Sequence, residues 1–329
     1  FLQLYPTASI LVADESNFTA RKRLRFLARA ATAGWDCIIL THSAFKLIPS
    51  PAAFERELIQ EQLASYAELL LQVDRDDRLS RKRLERLKEG LQARLEALAG
   101  RKDDMLTIAE LGIDQLIVDE AHEFRKLSFA TNMSGLKGVD AHGSQRAWDL
   151  LVKARFIAQR QPARPLILAS GTPVTNTLGE LYSLQHFLQP ELLAAAGLHE
   201  FDAWAAAFGE TRTELELQPS GRYKPITRFA EFVNVPELVA MFRTVADVIL
   251  KSDLRQYLRL PRIKGGARQI LTAAPSPAFK AYQRALAARI EVIQQRRGKP
   301  EKGQDILLSV IIDGRHAAIR SEERRVGKE

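Results

Sequence analysis

Four unbroken apolar runs constrain this chain most: "ASILVA" (Ala8 to Ala13), "DCIILTH" (Asp36 to His42), "QLIVDE" (Gln115 to Glu120) and "PLILAS" (Pro165 to Ser170). Runs of strand length that do not alternate with polar residues suit parallel strands covered on both faces. Helical patterns lie between them. Phe18, Leu24, Phe26, Leu27 and Ala31 can form one helix face that Gly34 ends, and Trp148, Leu151, Val152 and Phe156 another behind a cap at Ser144. This β-α-β order predicts an α/β fold: a parallel sheet flanked by helices, with right-handed crossovers.

A long segment interrupts that pattern. From Phe54 to Gly100 the chain is dense in Leu, Glu, Lys and Arg, with apolar positions at Leu58, Leu63, Tyr66, Leu70 and Val73 and again at Leu84, Leu87, Leu91, Leu95 and Leu98. Asp74 to Ser80 breaks the period, and Ser80 is the expected cap of a second helix, giving an inserted antiparallel helical hairpin. Its basic cluster, Arg78, Arg81, Lys82, Arg83 and Arg86, can touch phosphates, although a solvated helix face has the same composition and is the commoner case. Past Pro190, aromatic and apolar residues at helical spacing predict a mostly helical extension, "LPRIKGGAR" a hinge, and "SPAFKAYQRALAARIEVIQQ" a last helix. The expected organisation is an α/β core at 1–52 and 103–190, the hairpin at 53–102, the extension at 191–259 and a linker at 260–319. The charged stretch 320–329 is expected to be a non-native tail, and the start at Phe1 reads as an element already under way in an internal fragment.

Composition narrows the class further. With 329 residues and 46% apolar content the chain can bury a core, and no run of about 18 apolar residues offers a membrane span. The single cysteine, Cys37, cannot form an internal disulfide and reads as a buried, inert thiol, which fits a reducing cytoplasm. A net charge of +8 suits a polyanionic partner without requiring one.

Two motifs carry chemistry. "QLIVDEAHEFRKL" places Asp119 and Glu120 side by side at the end of an apolar strand, with His122 two residues on. An ATP-hydrolysing site needs one carboxylate toward Mg²⁺ and another toward the attacking water, and open parallel sheets bind ligands at that edge. A solvated acidic turn has the same five-residue pattern. The second motif, "ILASGTPVTNTLGELYSLQHFLQP", is a strand, a loop of small hydroxylated residues and an amphipathic helix, and it brings Ser170, Gly171 and Thr172 to the same sheet edge.

With these residues in place, the chain resembles a known family. "VDEAH" is similar to motif II, the Walker B box, of superfamily 2 (DEAH box) helicases, and "SGTPVTN" with its helix to motif III of the Swi/Snf-type DNA translocases. Together with "GWDCIILTHSAFKLIP", "FDAWAAAFGET", "RFAEFVNVPELVAMFRTVAD" and "DILLSVIIDGRHAAI", it resembles the helicase region of large methyltransferase-helicase proteins of phages, plasmids and conjugative elements, from Tyr5 to Ile319. The resemblance implies a RecA-like first motor lobe using ATP and Mg²⁺ to move along duplex DNA. Asp119 would bind Mg²⁺, Glu120 would be the catalytic base, and His122 would couple the site to motif III. Ser170, Gly171, Thr172 and Asn176 would form the relay between nucleotide and DNA. Thr41, His42 and Lys46 would lie near the DNA path, although a strand end explains Thr41 and His42 equally well. A second RecA-like lobe and a linked DNA methyltransferase domain are the implied partners.

The departures weigh against activity of this chain alone. No G-x-x-x-x-G-K-[ST] loop occurs in it, although that loop cradles the nucleotide phosphates, and the second lobe's arginines would lie beyond Ile319. The alternative is a degenerate lobe that binds DNA as a scaffold for an attached methyltransferase. Arg125, in "EFRKL", is assigned no role.

Overall fold

A computed structural model describes residues 1–319 except 15, 74–77, 101–105, 132, 134–135, 137–138, 140, 142, 176, 178, 218–222, 251, 258–264, 267–269, 271–273, 297–299 and 302. It divides into two compact units, residues 1–212 with 227–246, and residues 213–226 with 247–329.

The first unit opens with β1 (Ile10–Val12), α1 (Arg23–Thr32), β2 (Cys37–Ile39) and the short α2 (His42–Phe45). The helices α3 (Ala52–Gln72) and α4 (Arg78–Ala99) follow, then β3 (Leu116–Val118), α5 (Gln145–Arg160), β4 (Leu166–Leu168), α6 (Gly179–Leu188), α7 (Pro190–Ala195) and α8 (Phe201–Phe208). All four apolar runs form strands. They pair in parallel as two two-stranded sheets, β1 with β2 (Leu11 opposite Ile38) and β3 with β4 (Ile117 opposite Ile167), so a small parallel α/β core is present in place of a full RecA-like sheet. One face of the β3–β4 pair packs Val118, Leu116, Leu166 and Leu168 into the core. The other face is bare among the described residues: Ile117 is 69% and Ile167 43% exposed, where continuous apolar runs led us to expect cover on both sides.

The helical hairpin is part of this core. Ile59 and Tyr66 from α3 and Leu84, Leu91 and Leu98 from α4 share one apolar cluster with Val118, Trp148 and Leu150. The second helix begins at Arg78, so Ser80 is a fully buried residue inside its first turn and not its cap. Ser144 does cap α5, its hydroxyl accepting from the Ala147 N–H at 3.1 Å. Lys153 on α5, fully buried, donates to the Phe45 carbonyl at 2.8 Å and to Asp149 at 2.7 Å, and so ties α2 to α5. Burial pushes the Asp149 carboxyl up, and the adjacent lysine opposes that shift. Cys37 is partly buried.

The extension corrects the expectation of a mostly helical segment at 191–259. After α8, β5 (Gly209–Leu217) and β6 (Tyr223–Phe232) form a two-stranded antiparallel hairpin, followed by α9 (Val235–Arg243). Thr211, Thr213, Leu215 and Leu217 recur every second residue, the period of a strand. Gly209 sits so close to the Phe229 ring that a Cβ there would lie 1.7 Å from it, which only glycine tolerates. In the second unit, α10 (Pro277–Gln295) is capped by Ser276, and it packs on α11 (Leu307–Ile319) through Leu286, Ile290 and Val310. Arg289 clamps this pair by bonding Asp305 at 2.7 Å and Asp313 at 3.0 Å.

Candidate active site

The β3–β4 ladder runs past the strand ends and locks the two motifs together. The Ala169 N–H donates to the Val118 carbonyl at 2.8 Å, and the Ala121 N–H to the Ala169 carbonyl at 2.9 Å. Asp119 and Glu120 therefore stand at the same edge as Ser170, and both carboxylates are exposed. Between strand and the 3-10 turn Ala121–Phe124 the chain must reverse, and Glu120 adopts a left-handed conformation, φ 49°, to do so. For a non-glycine residue that conformation costs on the order of 1 kcal/mol. The Glu120 N–H donates to Asp119 Oδ1 at 2.9 Å.

His122 occupies the space between the motifs. Its Nδ1 lies 3.1 Å from Glu120 Oε2 and 3.5 Å from Ser170 Oγ, and Nε2 lies 3.7 Å from Glu123 Oε1. Ser170 Oγ also accepts from the Thr172 N–H at 3.1 Å, so the serine hydroxyl links the histidine to the loop backbone. Gly171 and Thr172 are exposed beside it. Asn176 lies outside the described residues.

The residues after β2 approach this edge from its side. His42 Nε2–H donates to the Asp119 carbonyl at 3.0 Å, and its ring meets Phe124 edge-on at 4.8 Å. Thr41 caps α2, its hydroxyl accepting from the Ala44 N–H at 3.1 Å. Both residues thus hold internal positions that fix the acidic turn, while Lys46, at the end of α2, is exposed.

Sequence reading missed the strongest support of the loop. Arg125, directly after the 3-10 turn, pairs with Glu180 at 2.8 Å, and the other Glu180 oxygen accepts from the Thr175 N–H at 2.8 Å. Glu180 is 3% exposed, so this carboxylate fastens the motif III loop to the motif II segment inside the protein. The available signals were an acid in the first turn of α6 and an arginine 55 positions upstream, and nothing local joins them.

Asp119 offers an exposed carboxylate with one oxygen already held by backbone. That suits Mg²⁺, which takes one or two protein carboxylates and fills its shell with water and phosphate oxygens. No group of three His, Cys, Asp or Glu side chains gathers among the described residues, so such an ion would need ligands from a bound nucleotide.

Comparison with known proteins decides the family. The family model described as "Probable helicase domain" matches residues 1–249, three quarters of the chain and both motifs. The chain belongs to this helicase-domain family. The helicase domain is also 25% identical over 208 residues to Defense against restriction protein B of Escherichia phage P1. That stretch is 62% of this chain and 9% of the phage protein. No solved structure matches the helicase domain. Among the described residues no helix is long and apolar enough to cross a membrane.

Proposed function

We propose that this helicase domain is part of the first motor lobe of an ATP-driven translocase on duplex DNA, of the DEAH-box, Swi/Snf-like kind, within a larger methyltransferase-helicase. The observation that carries the reading is His122, placed between the Glu120 carboxylate and the Ser170 hydroxyl at 3.1 and 3.5 Å. A solvated acidic turn has no need of such a bridge, whereas a motor must transmit the state of its nucleotide edge to a neighbouring loop.

In this reading each residue has a distinct task. Asp119 holds Mg²⁺, whose charge offsets the repulsion between the paired carboxylates and the phosphate oxygens. Glu120 accepts the proton of the attacking water. His122 senses the charge on Glu120 through the 3.1 Å contact and passes it to Ser170, whose hydroxyl is bonded to the Thr172 N–H. Arg125 and Glu180 hold the far end of that loop still, so movement is confined to residues 170–175. His42 and Thr41 position the acidic turn from behind, and Lys46 is free to meet a phosphate.

Ser170→Ala in the longer parent protein tests the coupling. It is expected to lower strand movement more than ATP turnover, so fewer base pairs are moved per ATP. An equal loss of both, or no loss, would contradict the relay.

A further inference from the structure

A second recess lies away from the acidic edge, in the first unit, between α3, α5, α6 and the segment before α8. It encloses about 200 Å³. That exceeds the roughly 150 Å³ cavity known to accept one benzene ring and falls short of the roughly 300 Å³ at which drug-sized pockets begin. One ring system fits inside it.

The walls are aromatic and the rim is polar. Trp148, Phe129 and Tyr182 contribute ring surface, with Phe129 and Tyr182 edge-to-face at 5.5 Å. Two polar atoms in it are sealed from solvent without a hydrogen-bond partner, Gln62 Oε1 and His186 Nδ1. An orphan of this kind costs about 1–3 kcal/mol, so a ligand that supplied the missing bonds would gain from both. His186 stacks obliquely on His199 at 5.5 Å and is held neutral: burial, then the Arg155 and His199 charges, push its pKa down to about 3. The Glu200 carboxylate, bonded by Ser65 at 3.3 Å, adds a strong acceptor, and Arg155 adds a guanidinium donor. Glu61 and His199 are exposed and mark the mouth.

We propose that this recess binds a single planar nucleobase, with guanine the fullest match. Its ring would lie against the aromatic walls. Its N–H groups would serve Gln62 and Glu200, and its carbonyl would accept from Arg155. A hydrocarbon would leave the sealed polar atoms unpaired, and a phosphate would meet the Glu61 and Glu200 carboxylates. A free nucleoside and a base swung out of a nucleic-acid strand present the same ring.

The test uses the purified full chain and two probes, guanosine and a single-stranded oligonucleotide rich in guanine, observed by saturation-transfer NMR. Guanosine is expected to receive saturation. Gln62→Leu should weaken it by at least about tenfold, roughly 1.4 kcal/mol, and the cavity-filling Ser65→Leu should abolish it. Both variants should unfold at or above the wild-type temperature, because neither removes a buried contact of the core cluster. Displacement of guanosine by the oligonucleotide would assign the base to a strand, and binding without displacement would assign it to a free nucleoside. No binding of either probe, or binding that both variants leave unchanged, would overturn the proposal.

Discussion

At the scale of residues, two groups hidden from sequence reading dominate the neighbourhood of the site. Glu180 serves Arg125 and the Thr175 N–H at once while 3% exposed, so its loss leaves a buried cation and an open loop. Glu180→Ala is expected to cost about 3–5 kcal/mol in urea unfolding, with Glu180→Gln costing less because it keeps the hydrogen bond. His186 makes a prediction of opposite kind. Its folded pKa, about 3, lies below its ordinary 6.5, so on acidification the unfolded chain takes up the proton first. Stability therefore falls as pH drops from 6.5 toward 3 and loses no more below that. Replacing it by His186→Gln should flatten this part of the pH profile, and an unchanged profile in the variant would rule the assignment out. Asp119, Glu120, His122 and Ser170 were legible because each lies within a few residues of a strand end. Arg125, Glu180 and Gln62 act across long separations, and single-chain periodicity carries no record of such pairs.

At the scale of elements, strands and helices followed from local pattern where that pattern was strong. The four apolar runs became β1 to β4, and the leucine-rich segment became α3 and α4. The β5–β6 hairpin was lost because its alternation is written in threonine, glutamate and leucine on a largely exposed ribbon, which a search for apolar helix faces passes over. Ser80 misled for a related reason: a serine after an acidic break reads as a cap, but tertiary packing drew it inside the helix. One link between elements bears on the site. Lys153 of α5 fixes α2 through the Phe45 carbonyl, and α2 carries His42 to the Asp119 carbonyl. Lys153→Ala would leave the half-buried Asp149 unpaired and is expected to destabilise the chain by about 3 kcal/mol. It should also change the His42 ring resonances in NMR spectra, and unchanged resonances would show that α2 is held by other contacts.

At the scale of the whole molecule, the first unit is a small parallel core with a helical hairpin built into it and an acidic edge at its strand ends. Membership of the helicase-domain family and the geometry of that edge point the same way, because the paired carboxylates, the bridging histidine and the hydroxyl loop are gathered by a single ladder, β3 with β4. The bare side of that ladder at Ile117 and Ile167 marks where the apolar pattern in sequence exceeds what the described residues cover. The central claim is that Glu120 takes the proton of water during ATP hydrolysis. The most direct measurement is DNA-stimulated ATP turnover by the longer parent protein, wild type beside Glu120→Gln. Loss of a general base predicts a fall of about 10²- to 10⁴-fold with ATP binding retained. Turnover within a few-fold of wild type would contradict the account and leave the acidic edge as part of a DNA-binding scaffold.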